Sequence, residues 1–289
     1  MKNKKIIVTG GSGYLGRNII SELLNKKFEV INLDLNKQTK NHPNLKFYEV
    51  DISKSIDLKF ENIDYLIHLA GFADLNQSIT NAEKTIRLNI LGTLNVLNLC
   101  KSNNISRIIY SSSMYALGDK GSFYGVSKKA SEDYIRVFCR QNNLQYTILR
   151  VGSLYGGDST ITNGIHRYLI QAIENKVINY NGTEEDLREY IHVKDASNIF
   201  LEIFNKDYIN KHINIVGTQQ YKVTDAFKII FEILDIKYNV KINNNSNSHY
   251  NFSPYSPQTL ASKYYSNINV DFASGIKDLI DRYNFDSQA

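Results

Sequence analysis

The chain of 289 residues has a net charge of +5, a pI near 8.9 and 42% hydrophobic residues, enough to bury one large domain or two unequal lobes. Its lysines are scattered instead of gathered in an arm or on one helix face, which speaks against nucleic acid as a partner, and no segment approaches the roughly 20 apolar residues that span a bilayer. Cys100 and Cys139 sit in helix-like stretches and the six histidines lack ligand spacing, so neither a disulfide framework nor a metal site is suggested and a reduced, cytoplasmic setting is expected.

Lys2, Lys4 and Lys5 precede an apolar run that stops at Thr9, far short of a secretory signal's core, and residues 4–8 read as a strand. Leu15, Ile19 and Leu23 recur every four residues as on a helix, and residues 28–33 are again strand-like. The alternation continues with strands at 46–50, 64–69 and 107–110, a long helical pattern over 82–101, a helix over 123–140 and a strand at 145–151. Strands separated by helices predict an α/β fold, a doubly wound parallel sheet covered on both faces, because parallel neighbours need crossovers. Past Gly156 the rhythm loosens into a smaller, mixed α/β lobe. A helix is expected near 164–174, strands near 177–180 and 212–216, and helices near 195–205 and 224–234. An Asn- and Ser-rich loop over 243–256 and a closing helix over 272–283 complete the chain.

The glycines of "VTGGSGYLGRNII" fall between the first strand and the first helix, where unpaired N–H groups and the helix dipole favour an anion. A dinucleotide's pyrophosphate suits that place. Gly10 or Gly11 makes the turn, Gly13 lets backbone approach the phosphates, and Gly16 lets the helix lie close to the sheet. Asp34 ends the second strand at the spacing expected of a ribose-binding acid. A carboxylate there suits the two ribose hydroxyls of NAD and repels the 2′-phosphate of NADP, although Lys37 stands within reach of a phosphate. Asp51 and Ile52 close the third strand, and Leu69, Ala70 and Gly71 the fourth, at the carboxyl edge where such sheets bind ligands. A helix cap for Asp51 and a plain turn for Gly71 are equal alternatives.

Tyr124 and Lys128 are four apart on a predicted helix and share one face. An ammonium beside a phenol favours phenolate, so Lys128, together with an oxidised nicotinamide, is expected to lower the Tyr124 pKa and make it a general base or acid. Lys128 also suits the cofactor ribose. Ser113, just past the fifth strand, is placed to hydrogen-bond the substrate oxygen that exchanges the proton.

These residues resemble the extended short-chain dehydrogenase/reductase family, in its NAD-dependent nucleotide-sugar epimerase/dehydratase branch. "TGGSGYLG" resembles the cofactor loop, bringing Tyr14 and Leu15 into it, and "LNILGTLNVL" the central helix with Asn89. "YSSS" and "YGVSK" resemble the segments of the catalytic Ser, Tyr and Lys; "LRVGSLYGG" and "REYIHVKD" those of substrate contacts; "LASKYYSNINVDFASGIKDLIDRY" the closing helix region. The resemblance implies a Rossmann domain for NAD over residues 1–155, a nucleotide-sugar lobe over 156–289 with the chain able to cross back, and a homodimer packed through the two long helices. Asn89 either bonds backbone near the site or merely breaks helix regularity. Tyr155 lines the pocket or, the favoured reading, packs in the core. Arg188 stands where relatives hold the substrate diphosphate, a task suited to a guanidinium fork, the alternative being a salt bridge with Glu184 or Glu189.

Sugar-nucleotide dehydratases carry Asp and Glu after the catalytic hydroxyl, for eliminating water; here Met114 and Tyr115 stand in their place, so elimination is disfavoured. The cysteine that some relatives use at the second of these positions, for epimerising next to a ketone, is also absent. Ser153 replaces a common Asn and Gly157 a common Pro, which alters the usual diphosphate contacts, and the short spacing from Ser113 to Tyr124 points to a changed sugar pocket. The expected reaction is hydride transfer at C4 of a nucleotide-activated sugar bound for a surface polysaccharide, by a 4-epimerase or a 4-dehydrogenase/4-ketoreductase. A non-catalytic NAD-binding regulator or RNA-associated relative is the alternative from another class, and the intact Ser113, Tyr124 and Lys128 argue against it.

Overall fold

β-branched runs with no polar interruption form strands that can be covered on both faces, and Ile6, Ile7 and Val8 in the first of them are fully buried. The computed structural model describes residues 4–37, 41–118, 121–243, 262–264 and 270–286. In chain order the first part comprises β1 (Lys5–Thr9), α1 (Tyr14–Asn25), β2 (Glu29–Asp34), β3 (Leu45–Glu49), β4 (Tyr65–His68), α2 (Leu75–Thr80), α3 (Ala82–Thr85), α4 (Gly92–Ser102), β5 (Arg107–Ser113), α5 (Ser122–Gln141) and β6 (Gln145–Val151). Then follow β7 (Ser153–Tyr155), α6 (Gly164–Asn175), β8 (Ile178–Asn181), β9 (Leu187–Arg188), β10 (Tyr190–His192), α7 (Val193–Glu202), β11 (Lys211–Ile215), β12 (Tyr221–Lys222), α8 (Val223–Ile233), β13 (Val240–Asn243), β14 (Ser262–Tyr264) and α9 (Phe272–Asp286).

The main sheet runs β14-β11-β6-β5-β4-β1-β2-β3. β1 pairs in parallel with both β2 and β4, β2 with β3, and β4 with β5. From β1 the chain therefore winds outward on one side through β2 and β3, and on the other through β4 and β5. The switch point falls between β1 and β4, and it is there that such sheets open a crevice for ligands. This is the doubly wound, Rossmann-type sheet that the sequence predicts.

Two compact units are distinguished. The first takes the described residues within Met1–Arg150, Ser197–Asn214 and Leu260–Ser262; the second those within Val151–Ala196, Ile215–Thr259 and Lys263–Ala289. Ile7, Ile31, Leu66, Val96, Ile108, Ile135 and Ile148 belong to one core of the first unit. The second unit has its own core, with Tyr155, Leu169, Tyr180, Phe227 and Ile276 buried in it.

Three departures from the sequence reading have physical causes. The helix expected over 82–101 is interrupted by a π turn at Ile86–Leu91, which separates α3 from α4. The strand expected at 212–216 joins the main sheet as β11, so the chain returns to the first unit after α7 begins. Short pairs, β7 with β10 and β9 with β12, were not anticipated, since two or three residues carry no readable period. The loop expected over 243–256 lies, beyond Asn243, outside the described residues.

Candidate active site

The loop after β1 turns at Gly10, whose φ of +74° and crowded neighbourhood both demand glycine: an added Cβ would lie 2.5 Å from the Ala70 nitrogen. Gly10 N–H donates to Leu33 O at 2.9 Å and Gly11 N–H to Asn32 Oδ1 at 3.1 Å, which ties the loop to β2. At Gly16 an added Cβ would meet Gly10 O at 2.3 Å, so α1 rests directly on the loop. Gly13 caps α1 without a side-chain hydrogen bond, and a Cβ there would approach only Gly10 O, at 3.3 Å. Tyr14, Leu15 and Gly16 follow as the first residues of the helix. The result is a shallow cradle of backbone at a helix N-terminus, which fits a pyrophosphate.

Asp34 closes β2 beside this cradle. Its Oδ2 accepts Ser12 N–H at 2.9 Å and its Oδ1 accepts Asn36 N–H at 3.0 Å, so the carboxylate fixes two loops while each oxygen keeps further acceptor capacity. Asp51 is engaged locally: Oδ1 accepts both the Ser53 N–H, at 3.0 Å, and the Ser53 hydroxyl, at 2.7 Å, which holds its carboxyl below the usual range. Ile52 is buried and its carbonyl accepts Asn95 Nδ2 at 2.8 Å. Leu69 and Ala70 both donate their N–H to Thr9 O at 3.0 Å, which draws the end of β4 against β1.

Asn89 lies in the π turn with only 2% exposure. Its Oδ1 accepts Phe72 N–H at 2.6 Å, and its Nδ2 donates to Phe72 O at 3.1 Å and to Ser127 Oγ at 2.8 Å. Both amide donors thus bind the protein itself, joining the segment after β4 to α5, and Gly71 is pressed against Oδ1. His68 stands in a buried chain of hydrogen bonds. Thr93 donates to Asn89 O, accepts from His68 Nε2 at 3.1 Å, and His68 Nδ1 takes the Thr9 hydroxyl at 2.7 Å. Burial, with Lys128 nearby, pulls the His68 pKa down to about 3.

Ser113 ends β5, Met114 and Tyr115 begin a 3₁₀ turn at Met114–Leu117, and Tyr124 and Lys128 lie on the first turns of α5. Ser113 Oγ accepts Tyr115 N–H at 3.3 Å, and the Ser113 hydroxyl lies near enough to the Tyr124 phenol to favour its ionised form. The Tyr115 ring meets that of Tyr124 edge-on, centroids 6.4 Å apart. Lys128 is 5% exposed; its Nζ donates to Ser111 O at 2.8 Å and lies 4.8 Å from the centre of the Tyr110 ring and 5.8 Å from that of Tyr124. Burial pushes the phenol of Tyr124 up to about 12, against the pull of Ser113, and pushes Lys128 down to about 8. Desolvation dominates at the phenol, so a neutral-range phenolate needs the positive charge expected of an oxidised nicotinamide.

Ser153 and Arg188 belong to the second unit. Ser153 on β7 pairs with Tyr190 on β10, and its N–H donates to Glu189 O at 3.2 Å. Arg188 on β9 is half-buried, pairs with Tyr221, and donates from Nη1 to Leu187 O at 2.7 Å. Tyr155 is 1% exposed and packed against Phe272, a core residue. Among the described residues no cluster of His, Cys, Asp or Glu suits a metal ion, and no helix is long and apolar enough to cross a membrane.

A doubly wound sheet with a glycine cradle at its first helix, and a Ser, Tyr and Lys set gathered between β5 and α5, defines a dinucleotide-dependent protein of the short-chain dehydrogenase/reductase type. Residues 6–216 match the NAD dependent epimerase/dehydratase family; the chain belongs to that family, and its cofactor is NAD. A relative from Methanocaldococcus jannaschii, "Putative UDP-glucose 4-epimerase", is 28% identical over 251 residues, 78% of this chain and 81% of the relative. UDP-glucuronic acid decarboxylase 6 of Arabidopsis thaliana is 24% identical, over 84% of this chain and 78% of its own. Among solved structures, UDP-glucose 4-epimerase from Thermotoga maritima shares the fold with a TM-score of 0.79 at 22% identity, covering 98% of this chain and 99% of that one. UDP-glucuronic acid 4-epimerase from Bacillus cereus, in complex with UDP-glucuronic acid and NAD, does so with a TM-score of 0.81 at 19% identity, covering 97% and 99%.

Proposed function

We propose that the protein transfers hydride at C4 of a nucleotide-activated sugar, as a 4-epimerase or as a 4-dehydrogenase/4-ketoreductase, in making sugars for a surface polysaccharide. The observation that carries this is the meeting of Ser113, Tyr124 and Lys128 at the end of β5, with Met114 and Tyr115 where an elimination would need acids. The names of the relatives, UDP-sugar epimerases among them, support the substrate class. The unit holding the glycine cradle is assigned to the dinucleotide, with backbone around Gly10 and Gly13–Gly16 for the phosphates and Asp34 for the adenosine ribose. The unit holding Ser153 and Arg188 is assigned to the nucleotide sugar.

When bound, NAD supplies the hydride acceptor and a positively charged ring. The chain's own residues handle the proton. Tyr124 Oη takes the C4 hydroxyl proton as the carbonyl forms and returns it when the alcohol is restored, while Ser113 Oγ donates to the same substrate oxygen and holds it in line. Lys128 keeps positive charge beside the phenol. In an epimerase the 4-keto sugar turns within its pocket between the two transfers; in a dehydrogenase it leaves.

Incubation of the purified protein with UDP-glucose, UDP-galactose and their N-acetyl and uronic acid counterparts separates these. C4 inversion without added oxidant marks an epimerase, and release of a stable 4-keto product a dehydrogenase. Tyr124→Phe is expected to lower turnover by about 10²–10⁴-fold, the range of general acid–base catalysis. Unimpaired hydride transfer in that variant would remove the assignment.

We also propose a homodimer formed through the helices of the first unit. Phe123, Val126, Tyr134 and Val137 expose 47%, 66%, 50% and 42% of their surface along one stripe of α5, and Ile86 and Leu91 in the π turn are half exposed. A contiguous apolar stripe of this kind is usually covered. Light scattering at micromolar protein is expected to give twice the chain mass, and Val126→Glu to reduce it to the monomer's.

A further inference from the structure

The chemistry assigned to Tyr124, Lys128 and Ser113 leaves one buried carboxylate on the same helix face without a task. Glu132 is 3% exposed and stands one turn past Lys128, as Lys128 stands one turn past Tyr124. Three consecutive residues of β5 meet the three levels of this face. Ser111 O accepts Lys128 Nζ at 2.8 Å, Ser112 Oγ donates to Glu132 Oε1, and the Ser113 hydroxyl stands near the Tyr124 phenol and favours its ionised form. On its far side Glu132 is gripped by the Arg150 fork from β6, Nε to Oε1 at 2.9 Å and Nη2 to Oε2 at 2.6 Å. His212 Nδ1 on β11 stands 3.5 Å from Oε2 and 3.2 Å from Arg150 Nη2. A buried ion pair is a poor source of stability beside apolar residues of the same shape, so stability alone does not account for this one.

We propose that Glu132 is a positioning residue for the proton transfer: it seats Ser112, and with it the adjoining Ser113, against Tyr124, and its charge keeps Lys128 an ammonium beside the phenol. The proposal rests on the reading of Tyr124 given above. The groups facing Lys128 are His68 from β4, Tyr110 from β5, and Tyr124 and Glu132 from its own helix, with Arg150 and His212 behind Glu132. His68 is neutral above pH 6.5 and burial keeps Tyr110 protonated, so neither offsets the desolvation of Lys128. Glu132 does, and it is held as a carboxylate by His212, Arg150 and Ser112.

The test reads Tyr124 itself, as the tyrosinate absorbance of the NAD-bound protein minus that of NAD-bound Tyr124→Phe, followed against pH. Glu132→Gln/Arg150→Met removes both buried charges together, so that neither is stranded. Its Tyr124 midpoint is expected to rise by about one unit, because Lys128 without its carboxylate partner gives up its proton and no longer favours phenolate, with NAD affinity within about twofold of wild type. Ser112→Ala, which keeps both charges, is expected to raise the midpoint by a smaller amount by letting Ser113 shift away from the phenol; it decides the matter if the double variant does not fold. Folded, NAD-bound variants that titrate with the wild-type midpoint overturn the role of Glu132. A wild-type protein whose Tyr124 does not ionise below about pH 10 overturns both this role and the reading on which it rests.

Discussion

Gly16 shows how little room single positions in the cradle have. Its Cβ-less backbone lets the first turn of α1 sit on Gly10, and a methyl group there would meet backbone oxygen, which cannot rotate away. Gly16→Ala is therefore expected to push α1 off the loop and weaken NAD binding at least tenfold, measured by titration calorimetry, although alanine is the better helix former by about 1 kcal/mol. The same variant should unfold at lower temperature, because overpacking of a tight contact costs on the order of 1–3 kcal/mol. At Gly13 an added Cβ would stand 3.3 Å from Gly10 O, tight but far looser than at Gly16, and a substitution there is expected to affect cofactor affinity with a smaller fall in melting temperature than Gly16→Ala.

At the scale of elements, the π turn at Ile86–Leu91 is what brings Asn89 to the inside. The residue holds both backbone groups of Phe72 and reaches Ser127 on α5, so one side chain joins the end of β4 to the helix of Tyr124 and Lys128. Asn89→Ala leaves the Phe72 N–H without its acceptor, which costs about 1–3 kcal/mol for a buried group, and calorimetry should show the corresponding fall in melting temperature. Little of this arrangement was legible in the sequence. The pattern over 82–101 has helical period on both sides of the turn, and a single widened turn does not announce itself in hydrophobicity. The glycine cradle and the Tyr124–Lys128 pair were legible, because a turn, a close approach and an i,i+4 spacing are local properties. The Glu132, Arg150 and His212 cluster was not: its members come from α5, β6 and β11, and only the sheet order makes them neighbours.

Across the molecule, several buried groups shape behaviour in acid, among them His192, whose pKa burial pulls down to about 4. His68 is held neutral, its pKa pulled from 6.5 to about 3, so the stability tied to its neutral form is complete above pH 6.5 and is lost as pH falls toward 3. Glu132 is held at about 2 against 4.5, so its contribution is complete above 4.5 and is lost on the way down to 2. Chemical denaturation at stepped pH should thus show stability falling already between pH 6.5 and 4.5, where Glu132 is still charged, and falling more steeply below. The connection between the units yields a second expectation. A fragment of residues 1–155 contains the whole cofactor cradle but lacks β11, which lies beside β6, and the stretch after α7 that bonds Arg107 and Thr147. It should not give a cooperative melting transition on its own.

That arrangement has a consequence for synthesis. A ribosome releases β6 well before Lys211–Ile215, so throughout the intervening elongation a growing polypeptide carries a sheet whose outer margin has exposed, unsatisfied amide groups. In that interval the nascent protein is at its most prone to pair with a neighbour on the same polysome, and translational pausing between codons 151 and 211 is where expression yield should be most sensitive.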